Sequence, residues 1–259
     1  MEYNLISVCI GDKYNIIEPY FINRIKERCP GANIKILKEL SSDININRDY
    51  GWWDIVRINE IIKLLETENK PIVHCDIDVI IEKDIEPLIN IKYDIIFSKE
   101  FGGTNAFPKD CSKKIGFGIC TGFYIIKPTP NSIKFLKKIY NDMINKLYGS
   151  YSDQITLMNT IVNNIYGLKD SFFINNNLIY RNKIISLDQY GVDICVLDFD
   201  LITRDPEYTK NQFANHINID NVGGSFNFIH YYNHKLENLP LTCRCGKFDN
   251  TDICNHRKK

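Results

Sequence analysis

The sequence predicts an α/β domain whose central, mostly parallel sheet is flanked by helices. Two observations predict it. Short apolar runs rich in β-branched residues alternate with segments whose apolar residues recur at helical spacing, a pattern that builds parallel strands covered by helices. The chain also has 259 residues with no internal repeat and no linker-like stretch, enough to bury one large core. We read residues 1–241 as that domain and residues 242–259 as a polar tail.

The first strand spans residues 5–10 and ends at Gly11-Asp12. Residues 16–29 then take a helical pattern that Pro30-Gly31 stops, and residues 33–37 form a second strand. Trp53, Val56, Ile58, Ile61, Ile62, Leu64 and Leu65 fall largely on one helical face. From Pro71 the chain is expected to run as one strand through His74-Cys75-Asp76-Ile77-Asp78 to Ile81. Further strands are expected over 93–98 and 122–127, and helices over 132–147 and 153–163. Glycines 102, 103, 116 and 118 mark an excursion between two of those strands. Signals after Ile184 are short and mixed.

Lys plus Arg equals Asp plus Glu at 32 each, so no positive excess points to a nucleic-acid partner. No apolar run is long enough for a membrane span, and the N-terminus lacks the basic and apolar regions of a signal peptide. Nine cysteines without an export signal fit reduced thiols, and a cytoplasmic location is expected.

Asp76 and Asp78 are the residues that carry chemistry. They follow an apolar strand, and open α/β sheets bind ligands at the ends of strands. Alternation along an extended chain would turn both carboxylates to one side, where a hard divalent cation relieves their repulsion. Mg²⁺ or Mn²⁺ suits such oxygen ligands and leaves positions open for phosphate. A solvated turn is the plainer reading. A second pair, Asp198 and Asp200, also follows an apolar stretch.

Several motifs in order resemble a GT-A glycosyltransferase, a Rossmann-like fold, and most resemble the retaining glycogenin-like group. They are Ser7-Val8-Cys9-Ile10-Gly11-Asp12-Lys13-Tyr14, Trp53-Asp54-Ile55-Val56-Arg57, the Asp-x-Asp strand followed by Lys83-Asp84-Ile85-Glu86-Pro87-Leu88, and Ile119-Cys120-Thr121-Gly122. Tyr151-Ser152-Asp153-Gln154 and Phe228-Ile229-His230-Tyr231-Tyr232-Asn233-His234-Lys235 complete the set. The resemblance implies a nucleotide-sugar donor, UDP-linked, and a glycan or protein acceptor. It implies that Tyr14 packs on the base, Arg57 faces the donor, and Asp76, Asp78 and His230 hold Mn²⁺ or Mg²⁺. It further implies that Asp153 reaches the donor sugar, Gln154 lies near the reacting carbon, and Lys235 binds diphosphate.

Each residue also has a plainer reading. Tyr14 can cap the first helix, Arg57 can lie on a solvated face, and Ser152-Asp153 can be a helix N-cap. His234 is an alternative to His230. Cys120 and Thr121 stand where that group has Asn and Ser, and its Gly-x-x-Lys-Pro-Trp is not kept. Cys243, Cys245, Cys254 and His256 in the tail offer four ligands to structural Zn²⁺, against a loose reduced tail. His74 and His216 receive no role. Two other functions stay open: a haloacid-dehalogenase-type phosphatase, which also uses Asp-x-Asp after a strand, and a non-catalytic nucleotide-sugar binder.

Overall fold

The computed structural model describes residues 1–38, 51–100, 102–150, 152–175, 178–198, 202–203 and 213–216. Within these residues the chain runs β1 (Tyr3–Val8), α1 (Asp12–Arg28), β2 (Ala32–Leu37), α2 (Trp52–Glu68), β3 (Ile72–Cys75), β4 (Val79–Ile81) and α3 (Glu86–Ile89). It continues through β5 (Ile95–Glu100), a 3₁₀ turn, α4 (Lys109–Ile115), β6 (Gly118–Ile126), α5 (Pro130–Ile144) and α6 (Asp153–Asn164). The last elements are β7 (Gly167–Asn175), β8 (Leu178–Leu187), β9 (Val192–Leu197), β10 (Ile202–Thr203) and β11 (Ala214–His216).

Eight strands form one sheet in the order β2-β1-β3-β6-β5-β9-β8-β7, and three form a smaller sheet, β10-β11-β4. The large sheet is mixed. β1 pairs parallel with β2 and β3, and β5 with β9, while β6 runs antiparallel between β3 and β5 and the β7–β8 hairpin adds two more antiparallel pairings. β1, β3, β5 and β9 therefore all end at one rim, where β6 begins. That rim is where sheets of this kind bind ligands.

Strand alternation divides the core in two. Leu5, Val73, Cys75, Ile96, Phe123 and Ile125 face α1. Ile6, Ile72, Ile95, Phe97, Tyr124 and Ile126 face α2, α5 and α6. Burial of β3 and β6 is complete along both strands, in keeping with their largely apolar sequences.

The strand expected to run from Pro71 to Ile81 is instead broken after Cys75. A turn over Asp76–Asp78 closes with the Val79 N–H on the Asp76 carbonyl at 3.0 Å, and β4 joins the smaller sheet. Two carboxylate-bearing residues thus sit at a joint between sheets. Asp198 of the second acidic pair binds Lys99 at 3.1 Å. No helix among the described residues is long and apolar enough to cross a membrane.

Candidate active site

The rim site is built around the Asp76–Asp78 turn, with β6 and β11 beside it and residues of α2, α6 and β3 beneath. The Asp76 N–H donates to the Gly122 carbonyl at 2.8 Å, so β6 lies directly beside the turn. Opposite β5, the register of β6 jumps from Tyr124 to Cys120, leaving Thr121, Gly122 and Phe123 without direct partners. A bulge of this kind re-aims side chains and is common beside active sites. Ser98 fixes it by donating to the carbonyls of Cys120 (3.3 Å) and Phe123 (3.1 Å). Gly122 has no room for a side chain: a Cβ there would lie 2.3 Å from His216 Cε1 and 2.7 Å from Asp76 Oδ2.

His216 arrives from β11. Antiparallel pairing sets Ala214 against Ile81 and His216 against Val79, next to Asp78. Its Nε2 lies 3.3 Å from Asp78 Oδ1 and 3.5 Å from Asp76 Oδ2. Ligand atoms of Asp76, Asp78 and His216 all fall within 4.8 Å of one another. Two hard carboxylates with one imidazole are a donor set that fits Mn²⁺ or Mg²⁺. Burial opposes charge on His216, but the Asp78 carboxylate and its hydrogen bond outweigh it and raise the imidazole to about 10. Burial likewise opposes charge on Asp76, yet His74, His216 and Arg57 hold that carboxyl below the usual range.

A second layer lies beneath. Arg57, only 4% exposed, sends Nη2 to Asp54 Oδ1 at 2.7 Å and to Asp153 Oδ2 at 2.5 Å. Its Nη1 meets His74 Nε2 at 3.1 Å and Asp76 Oδ1 at 3.5 Å. His74 is oriented by its Nδ1 against the Ile6 carbonyl at 3.1 Å. Thr121 donates to the other oxygen of Asp153 at 3.0 Å. Burial and the nearby charge of Asp153 push Asp54 up to about 8, with Arg57 pulling the other way.

The structure thus brings together Asp76, Asp78, Arg57 and Asp153 of the residues singled out in the sequence. Gln154, on the first turn of α6, donates to the Phe107 carbonyl at 2.8 Å and to Glu100 at 3.4 Å. Ser152 holds the N-cap position of α6 but makes no side-chain capping bond. Tyr14 is half-buried in the first turn of α1, its N–H on the Gly11 carbonyl at 3.0 Å, at the same rim. His230, His234, Lys235 and the tail residues Cys243, Cys245, Cys254 and His256 lie outside the described residues.

Asp54, Thr121, His74 and His216 were not assigned from the sequence. Asp54 did carry a signal: with Arg57, Ile58 and Ile61 it falls at i, i+3, i+4 and i+7, on the buried face of α2. His216 carries none, because only the pairing of β11 with β4 brings it to Asp78.

A search of curated proteins finds no match. Among solved structures, the fold is similar to that described as a glycosyltransferase involved in the glycosylation of the major capsid of PBCV-1. The TM-score is 0.55 at 13% identity, covering 91% of this chain and 99% of the other. A family described as nucleotide-diphospho-sugar transferase matches residues 47–218, from just before α2 to just after His216. That span exceeds half of the chain and contains Asp54, Arg57, His74, Asp76, Asp78, Thr121, Asp153 and His216, so the protein belongs to the nucleotide-diphospho-sugar transferase family and is a glycosyltransferase.

Proposed function

We propose that this transferase takes its sugar from a UDP-linked donor, uses Mn²⁺ or Mg²⁺, and delivers the sugar to an acceptor hydroxyl with retention of configuration. The observation that carries the metal is the convergence of Asp76, Asp78 and His216 at the strand-end rim. Bound there, a divalent cation supplies Lewis-acid stabilisation to the diphosphate leaving group.

The chain's own residues supply the rest. Arg57 is enclosed by carboxylates, so its part is to hold Asp76 and Asp153 in place rather than to reach solvent. Asp153, fixed by Arg57 and Thr121, keeps lone pairs for the hydroxyls of the donor sugar. Gln154 lies beside the reacting carbon, and its bond to the Phe107 carbonyl ties it to the 102–118 excursion, which we read as an acceptor wall or lid. Tyr14 packs on the base. Lys235 binds diphosphate by analogy with the glycogenin-like group, and His230 is the alternative nitrogen ligand from the same analogy.

Thermal unfolding with UDP, with and without Mn²⁺, tests the reading on wild type and Asp78→Asn. Ligand at about 100 times its Kd adds about 2.7 kcal/mol, or roughly 2–4 °C per kcal/mol in a domain of this size. A rise that needs both UDP and Mn²⁺ and disappears in the variant supports the proposal. No rise with any nucleoside diphosphate overturns it.

A further inference from the structure

We infer that Cys120 is a positioning residue that aims the His216 imidazole at the cation site; the inference rests on the metal reading above. The sulfur of Cys120 lies 3.6 Å from His216 Nδ1. It also accepts the Gly122 N–H at 3.4 Å, and this donor marks the sulfur as an acceptor. Cys120 and His216 are 2% and 5% exposed, so no bulk water competes for either group.

The two ring nitrogens point away from each other. With Nδ1–H held on the sulfur, the opposite nitrogen, Nε2, faces Asp76 Oδ2 at 3.5 Å and Asp78 Oδ1 at 3.3 Å. A histidine that binds a metal through one nitrogen normally has its other N–H fixed by an oxygen acceptor. Here a thiol takes that place. The β6 bulge puts it there, because residues 121–123 loop out of register with β5 and turn Cys120 toward β11. The missing side chain at Gly122 leaves the space in which ring and sulfur meet.

Mn²⁺ affinity, read by electron paramagnetic resonance of the free ion without nucleotide, tests the inference on the full chain. Wild type, Asp78→Asn, Cys120→Ala and Cys120→Ser are compared. Loss of a partner that orients a ligand weakens metal binding by about 10- to 100-fold. The expected result is that loss in Cys120→Ala and recovery of most of it in Cys120→Ser, whose hydroxyl still accepts a hydrogen bond. Wild-type affinity in Cys120→Ala would overturn the role of Cys120 and leave the metal reading intact. Absence of Mn²⁺ binding in wild type would remove the metal reading and this inference with it.

A second measurement serves if Cys120→Ala does not fold. With Mg²⁺ and ¹⁵N-labelled histidine, the wild-type His216 resonances, assigned by His216→Gln, should show a protonated Nδ1. A protonated Nε2 under saturating Mg²⁺ would overturn the inference.

Discussion

The strand-end rim and the outer hairpin of the same sheet treat polarity in opposite ways. Around Asp76 the ionisable groups Arg57, Asp54, Asp153 and Asp78 are all less than 10% exposed. On β7, at the far edge, Phe172 and Ile174 are 61% and 67% exposed, on the outward face with Leu168 and Asp170. Buried charge persists only when each group has partners, so every rim residue depends on several others. An exposed apolar side chain depends on little. The hairpin's outward face is instead marked by ions, with Asp170 binding Lys183 across the strands at 2.6 Å, as edge strands commonly are. The contrast teaches that the rim is one coupled unit, whereas the hairpin tolerates change residue by residue.

Arg57→Leu should break the comparison most sharply. It strands Asp54 and Asp153 without their shared cation, and breaking a buried ionic network costs about 3–5 kcal/mol. Chemical denaturation should show that loss. Stability within about 1 kcal/mol of wild type would mean the rim is less coupled than its geometry implies.

Asp78→Asn should affect catalysis more than folding. Removing an electrostatic stabiliser typically lowers kcat by about 10²–10³-fold, and steady-state transfer assays with Mn²⁺ would measure it. His216→Ala and His230→Ala sharpen the same point: Mn²⁺ binding should fall in the first and hold in the second. The reverse would move the nitrogen ligand to His230.

A pH series gives a smaller effect. The folded-state value of His216 is raised from 6.5 to about 10, so its stabilising contribution is complete below 6.5 and is lost as pH rises toward about 10. Cation-free wild type should therefore lose stability across that window relative to His216→Asn. An identical slope in both proteins would contradict the assignment. Smallest of all, Phe172→Ser should shift stability by no more than about 0.5 kcal/mol and leave Mn²⁺ affinity unchanged.

Much of this architecture was legible in the sequence because its signals are local. The β-branched runs at β1, β3 and β5 and the helical spacing of α2, α5 and α6 each reflect one side of one core, and pattern reports that directly. The Asp-x-Asp pair was legible for the same reason. The break after Cys75 was hidden because Ile77 and Val79–Ile81 are as buried as β3, so the apolar run continues through a turn. The direction of β6 and the β7–β8 hairpin depend on pairings between strands, and a strand buried on both faces looks alike in either direction. Asp54 was missed because a charge in phase with an apolar face usually marks the edge of that face, and only Arg57 beside it makes burial tolerable. His216 depends on a register between residues far apart in the chain, which no local pattern encodes.

The joint at Asp76–Asp78 has a consequence for dynamics. Both carboxylates flank a turn anchored to β6 of the large sheet, whereas the imidazole is carried by β11, three residues long and held in the small sheet. Transient fraying of β11 from β4 would withdraw the nitrogen donor while the carboxylates stayed where they are. The Glu82 N–H, which donates to the Phe213 carbonyl at 2.8 Å just ahead of β11, sits on that seam. On the proposed metal reading, its rate of exchange with solvent deuterium should slow when Mn²⁺ is added, because a cation held by both sheets would keep β11 on β4.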